Sequence, residues 1–132
     1  LVLADTKITV ASLRLIPDDP FLSTLVVSGT NLRGYDLAII AERFSRHLGT
    51  LRIARLTLPG EHLHNLPSLK YLSTLDISGT QVTDDGFAAL APIRRLRTVE
   101  ARGMAVTAAG AHKQIGKRSS YANVRIYVES PP

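Results

Sequence analysis

The chain repeats itself, and an internal repeat restricts the possible folds more than any other feature of a sequence. Leu72-Ser-Thr-Leu75-Asp-Ile77-Ser-Gly-Thr-Gln-Val82 aligns with Leu22-Ser-Thr-Leu25-Val-Val27-Ser-Gly-Thr-Asn-Leu32, seven of the eleven positions being identical. The same frame recurs at Ile53-Ala-Arg-Leu56-Thr-Leu58-Pro-Gly-Glu-His-Leu63 and at Leu96-Arg-Thr-Val99-Glu-Ala101-Arg-Gly-Met-Ala-Val106. A fifth, worn copy stands at Tyr121-Ala-Asn-Val124-Arg-Ile126. The middle anchors Leu25, Leu56, Leu75, Val99 and Val124 are then 31, 19, 24 and 25 residues apart.

Each copy carries its own structural instructions. Alternating apolar residues send two side chains to one face of a short strand and the residue between them to the other. A glycine follows (Gly29, Gly60, Gly79, Gly103), suited to a tight turn with unusual backbone angles. One more apolar residue (Leu32, Leu63, Val82, Val106) then turns inward. A helix-like stretch closes the unit, clearest over residues 83–90, with Thr83 or Asp84 as N-cap and Phe87 and Leu90 facing the core. Residues 35–44 read as a longer amphipathic helix through Leu37, Ile40 and Phe44. Such a unit buries its apolar face only by stacking on its neighbours.

Units of this length with an L-x-x-L-x-L start resemble leucine-rich repeats. Ser78-Gly-Thr-Gln-Val-Thr-Asp-Asp-Gly-Phe87-Ala-Ala-Leu90 is similar to the SGTxVTDxGLxxL repeats of bacterial, notably planctomycete-type, leucine-rich-repeat proteins, and Val106-Thr-Ala-Ala-Gly110 to a worn VTDAG segment. The resemblance covers about residues 22–128. It implies an α/β fold, a short solenoid with a parallel concave sheet of about five strands and helices and loops on the convex side. It also implies that Thr30 and Thr80 sit where many relatives carry Asn, with hydroxyls placed to hydrogen-bond between adjacent turns. Glu61 and Met104 occupy the same slot and interrupt that row. Residues 1–21 fit no repeat and are expected to form an N-terminal cap or the tail of a preceding segment, ahead of a repeat domain over 22–132. Within them Lys7-Ile-Thr-Val10 reads as an edge strand, and Ile16-Pro-Asp-Asp-Pro20 as a break.

Composition narrows the function. At 132 residues, with 45% hydrophobic residues, the chain can bury one core, and that core must be aliphatic because Trp is absent and Tyr and Phe number four and three. The lack of cysteine rules out disulfides and thiol chemistry, and fits a bacterial cytoplasm or periplasm equally. The opening on Leu1 reads as a processed or excised piece. Of the net charge of +5, the excess lies in residues 94–125, where Arg94, Arg95, Arg97, Arg102, Lys113, Lys117, Arg118 and Arg125 face Glu100 alone. Either a solvated surface or an acidic partner accounts for that asymmetry.

The exposed strand positions form the candidate partner-binding face: Thr24, Val26, Ser28, Arg55, Thr57, Thr74, Asp76, Ser78, Thr98, Glu100, Arg102, Asn123, Arg125 and Tyr127. With strands about 4.8 Å apart this face is roughly 20 Å wide, enough for a small protein interface and too shallow to enclose a small substrate. The bland alternative is a solvated face with Asp76, Glu100, Arg55 and Arg102 paired across strands. The expected function is therefore a non-catalytic binding or scaffold module for another protein. The alternatives are an acidic ligand (nucleic acid or an anionic surface) held by the basic C-terminal third, or a passive repeat segment of a larger enzyme. Catalytic readings are weak: His62-x-His64 lies in the loop after the second strand beside inward-facing Leu63, Asp84-Asp85 begins a helix, and Asp18-Asp19 sits between prolines. No nucleophile motif or phosphate-cradling glycine loop stands in the sequence, and no cofactor or metal is expected. Elemental analysis of the purified protein should accordingly find no stoichiometric zinc. Zinc that disappears with His62→Ala and His64→Ala would reverse this reading.

Overall fold

A computed structural model describes residues 1–17, 21–115 and 124–128. Five three-residue strands, β1 (Thr24–Val26), β2 (Thr50–Arg52), β3 (Thr74–Asp76), β4 (Thr98–Glu100) and β5 (Arg125–Tyr127), form one parallel sheet in chain order. Between them run the elements of the opposite layer. Helix α1 (Val10–Leu15) precedes β1. A 3₁₀ turn (Gly34–Asp36) leads into α2 (Leu37–Phe44), two 3₁₀ helices (Gly60–Ser68 and Asp84–Leu90) follow β2 and β3, and α3 (Ala108–Ile115) follows β4. Together these make an α/β solenoid of one strand per repeat. Among the described residues no helix is long and apolar enough to cross a membrane.

The pairing register corrects two of the expected anchors. Leu25, Leu51, Leu75, Val99 and Ile126 stand side by side, spaced 26, 24, 24 and 27 residues apart. The second anchor is thus Leu51, not Leu56, and the uneven gaps of the sequence frame disappear. Leu56 is buried as expected, but in the turn after the strand. The fifth anchor is Ile126, and Val124 lies buried just ahead of its strand. Tyr121 and Asn123 fall outside the described residues.

The turn explains the second correction. Gly29, Gly79 and Gly103 have φ of +69°, +70° and +65°. Two non-glycine residues take the same left-handed conformation, Asp5 (φ 58°) and Arg55 (φ 61°). The five are spaced 24, 26, 24 and 24 residues apart, so one left-handed residue follows each of β1 to β4 and another follows the segment at the chain's start. In the second repeat Arg55 fills the glycine slot, which hides the frame, while Gly60 five residues on offers a false one. Gly60 starts a 3₁₀ helix instead.

Residues 1–8 share this geometry, although no repeat is legible there. Val2 pairs in parallel with Val26, which puts Asp5 level with Gly29 and Thr6 with Thr30. The Leu3 and Asp5 amides donate to the carbonyls of Val26 and Ser28, at 2.7 and 2.9 Å. The expected edge strand at 7–10 is therefore displaced: the extended edge is at the chain's start, and Val10 begins α1, whose Leu13 is fully buried in the common core.

Hydrogen bonds join the turns in a consistent direction. Val27, Ile53 and Ile77 donate their amides to the carbonyls of Arg52, Asp76 and Glu100, one repeat further on, at 2.8–2.9 Å. Gly29, Arg55 and Gly79 donate likewise to Ala54, Ser78 and Arg102. The serine before each glycine adds a link, since Ser28 Oγ accepts from the Ala54 amide and Ser78 Oγ from the Arg102 amide, both at 3.0 Å. The threonine of that motif acts within its own turn, and at Thr80 also between turns, where its hydroxyl lies 3.9 Å from Met104 Sδ of the next repeat. The Thr6, Thr30 and Thr80 hydroxyls donate to the carbonyls of Leu3, Val27 and Ile77 at 2.7–2.8 Å. The Ser-Gly-Thr motif is thus an inter-repeat acceptor, a left-handed turn and a local lock.

The helical layer matches its expected faces, with Leu37, Ile40, Phe44, Phe87 and Leu90 all buried. Thr83 is the N-cap residue of its 3₁₀ helix without a side-chain cap bond. Asp84 instead reaches the next repeat, accepting from the Thr107 amide and hydroxyl at 2.8 and 2.9 Å.

Two stability effects follow. Leu75→Ala should destabilise the fold by about 2–5 kcal/mol through lost burial and a cavity, measured by chemical denaturation. Gly103→Ala isolates the backbone cost of a left-handed alanine, about 1–2 kcal/mol, because open space surrounds its Cβ position. Gly29→Ala should cost more, since its Cβ would also collide with the Asp5 carboxylate and lie 3.1 Å from Arg55 Nη2.

Candidate functional site

On each of β1 to β4 the central anchor is buried and its two neighbours are half-exposed on the other face. Parallel in-register pairing lines those neighbours into rows. The first row is Thr24, Thr50, Thr74 and Thr98, followed by Arg125; the second is Val26, Arg52, Asp76, Glu100 and Tyr127. Rows form because parallel strands in register place equivalent residues about 4.8 Å apart.

The threonine row is uncharged and stiff. β-Branched side chains have few rotamers, so their hydroxyls are ordered at small entropic cost. The second row is charged at its centre. Arg52 Nη1 lies 2.8 Å from Glu100 Oε2, spanning the intervening strand, and 3.5 Å from Asp76 Oδ2. These side chains are partly exposed, so each pair is worth roughly 0–1 kcal/mol and can be exchanged for bonds to a partner. Asp76 Oδ1 also accepts from the Ser78 amide at 3.0 Å, which fixes the carboxylate.

The face differs in membership from the one expected. Thr24, Val26, Thr74, Asp76, Thr98, Glu100, Arg125 and Tyr127 lie on it. Arg55 and Thr57 do not, because the second strand is five residues earlier than its sequence frame. Arg55 occupies the turn, its Nη2 3.1 Å from Asp5 Oδ1. Thr57 lies on the descending side, bridged to Arg33, its carbonyl accepting from the Gly34 amide at 2.9 Å. Ser28 is buried with its hydroxyl committed to Ala54, and Ser78 is half-buried and committed to Arg102. Arg102 stands at the rim, its guanidinium 5.8 Å from the Tyr127 ring centre. The expected pairing of Asp76 and Glu100 across strands exists, but with Arg52 as partner.

Thr50 and Arg52 are the residues that sequence reasoning missed. A signal for them exists: a threonine precedes the anchor in Thr24-Leu, Thr50-Leu, Thr74-Leu and Thr98-Val, at intervals of 26, 24 and 24.

The histidine pair falls on the 3₁₀ helix over 60–68, not in a loop. His62 Nε2 is 3.9 Å from Glu61 Oε1, and His64 lines a shallow recess of about 390 Å³ with Glu61, Asp85, Thr83 and the backbone around Gly60 and Gly86. Among the described residues no group of three or more His, Asp or Glu side chains is placed to hold a metal ion. Asp18 and Asp19 fall outside the described residues, as do Lys117 and Arg118.

No protein-family model matches the sequence, and no curated protein matches it. Among solved structures, an internalin (inlF) from Listeria monocytogenes matches 89% of this chain with a TM-score of 0.50 at 15% sequence identity. The chain spans 39% of that protein's length. At such identity the likeness is one of fold. With one parallel strand per repeat and a left-handed turn after each of β1 to β4, the fold is that of a leucine-rich-repeat solenoid.

Proposed function

We propose that this chain is a non-catalytic recognition module that binds another protein through the exposed face of its sheet. The observation that carries this reading is the two-row arrangement. Four in-register threonines lie beside an Arg52–Asp76–Glu100 cluster whose partly exposed charges can trade internal pairs for external ones. Such a surface offers donors, acceptors and both signs of charge on a rigid lattice, and rigidity lowers the entropic cost of binding. A face of five short strands has the width of a small interface and no depth for a substrate. That favours recognition over catalysis, and so does the commitment of the nearby serines to backbone donors. The Ser-Gly-Thr and Val-Thr-Asp segments further tie the chain, in this reading, to the bacterial SGTxVTDxGL type of repeat.

The test is a partner captured by the wild-type protein and measured against two variants. Asp76→Ala with Arg102→Ala should weaken its binding at least about tenfold, a loss of ~1.4 kcal/mol, with the circular dichroism spectrum unchanged. Ala109→Lys, on the exposed side of α3, should bind like wild type. The face assignment fails if the order is reversed or if both variants bind unchanged.

A further inference from the structure

A second surface, separate from the sheet face, runs along the edge where the chain enters each strand. The residues two before the first leucine of each repeat (Leu48, Leu72, Leu96) are Arg46, Lys70 and Arg94. The residues immediately before are His47, Tyr71 and Arg95, preceded in the first repeat by Phe21 before Leu22. The leucines at 48, 72 and 96 are buried, whereas Arg46, His47, Lys70, Tyr71, Arg94, Arg95 and Arg97 are exposed. Each set keeps a fixed offset from the in-register Thr50, Thr74 and Thr98, four residues before for the cations and three for the flat π-bearing groups, so both recur once per repeat along this edge.

Three features mark this edge as a built surface. Residues 43–60, 62–75 and 86–99 contain no Asp or Glu, so the segments entering β2, β3 and β4 bring cations without carboxylates. A recess of about 450 Å³ opens between two repeats, lined by Ser45, Arg46, His47, Ser68, Lys70 and Tyr71. The Arg95 guanidinium lies 4.8 Å from the Tyr71 ring centre, so cation and ring form one stacked platform, while Tyr71 remains 46% exposed. At the start of the row Phe21 is 90% exposed.

We infer that this edge binds single-stranded nucleic acid. The cationic row would follow the phosphates, and Phe21, His47, Tyr71 and the Arg95 plane would receive unstacked bases. A duplex hides its base faces and has no use for the second row. An acidic peptide would engage the cations alone, and an anionic bilayer would take Phe21 by insertion but would leave the stacked Tyr71–Arg95 pair without a flat partner. The combination of regular cations with adjacent π surfaces selects the single strand.

Fluorescence anisotropy with a labelled 12-nucleotide single-stranded RNA, and the same sequence as DNA, tests the assignment. Arg46→Ala, Lys70→Ala and Arg94→Ala together should reduce the slope of log K against log salt by about 2, as expected for three lost single-strand phosphate contacts. Tyr71→Ala should weaken binding about tenfold through lost stacking while leaving that slope unchanged, and Tyr71→Phe should bind like wild type. Asp76→Ala with Arg102→Ala should leave oligonucleotide binding intact, which separates this edge from the sheet face. Thermal melts confirm folding, and if Tyr71→Ala does not fold, the salt slope of the triple variant decides. The assignment is overturned if neither oligonucleotide binds, or if the triple variant keeps the wild-type slope. It is equally overturned if Tyr71→Ala folds and binds like wild type, or if polyglutamate, duplex DNA or phosphatidylserine vesicles bind as tightly as the single strand.

Discussion

Everything in this molecule depends on a single backbone event per repeat: the chain turns out of its strand through a residue with positive φ. That conformation aims the amides after the strand at the carbonyls of the following repeat, as in Gly29 to Ala54, Arg55 to Ser78 and Gly79 to Arg102. Without it the strands would not stay in register, and without register neither the buried column Leu25–Leu51–Leu75–Val99 nor the exposed rows opposite would exist. Glycine satisfies the turn cheaply at three places. At Asp5 and Arg55 the repeat accepts a left-handed side chain, and those two side chains lie across Gly29, with 3.1 Å between Asp5 Oδ1 and Arg55 Nη2. Exposed as they are, the ions offset little of the conformational cost, which the surrounding ladder must sustain.

Legibility in the sequence followed the same event. Where glycine filled the slot, in the copies around Leu25, Leu75 and Val99, strand, anchor and turn could be read directly. Where Arg55 filled it, the frame slid to Leu56–Leu58–Gly60, because that stretch also alternates apolar residues before a glycine. Hydrophobicity alone could not choose, since Leu51, Ile53, Leu56 and Leu58 are all buried. Spacing could have chosen. Intervals near 24 between Thr-Leu and Thr-Val pairs identify Thr50 and with it Arg52, the residue that organises the charged row. The same blindness hid residues 1–8, where Asp5 stands in the slot. At the far end, Val124, Ile126 and Val128 alternate, so pattern fixed the face but not the register, which only the Val99–Ile126 pairing reveals.

Hydrogen bonding within the Ser-Gly-Thr motif shows why a recognisable motif can still mislead about roles. The serine hydroxyl looks available on an extended strand, yet it accepts from the next repeat's amide. The threonine, which resembles a ladder former, secures its own turn. A side chain's chemistry is assigned by the backbone groups left over around it. Threonines of a different row, those preceding the anchors, remain to face outward.

The meeting of Gly60 and Gly86 on the helical side has a mechanical meaning. A Cβ built on Gly60 would lie 3.2 Å from the Gly86 Cα, and one on Gly86 would lie 2.8 Å from Val82 Cγ1. Packed α-helices sit about 8–10 Å apart, whereas paired strands sit about 4.8 Å apart, so a helical back normally outgrows its sheet and bends the array. Slender 3₁₀ segments touching through glycine let the back advance nearly in step with the front. The back is thus thick beside α2 and slender where the 3₁₀ helices after β2 and β3 meet, and those two glycines act as its shim.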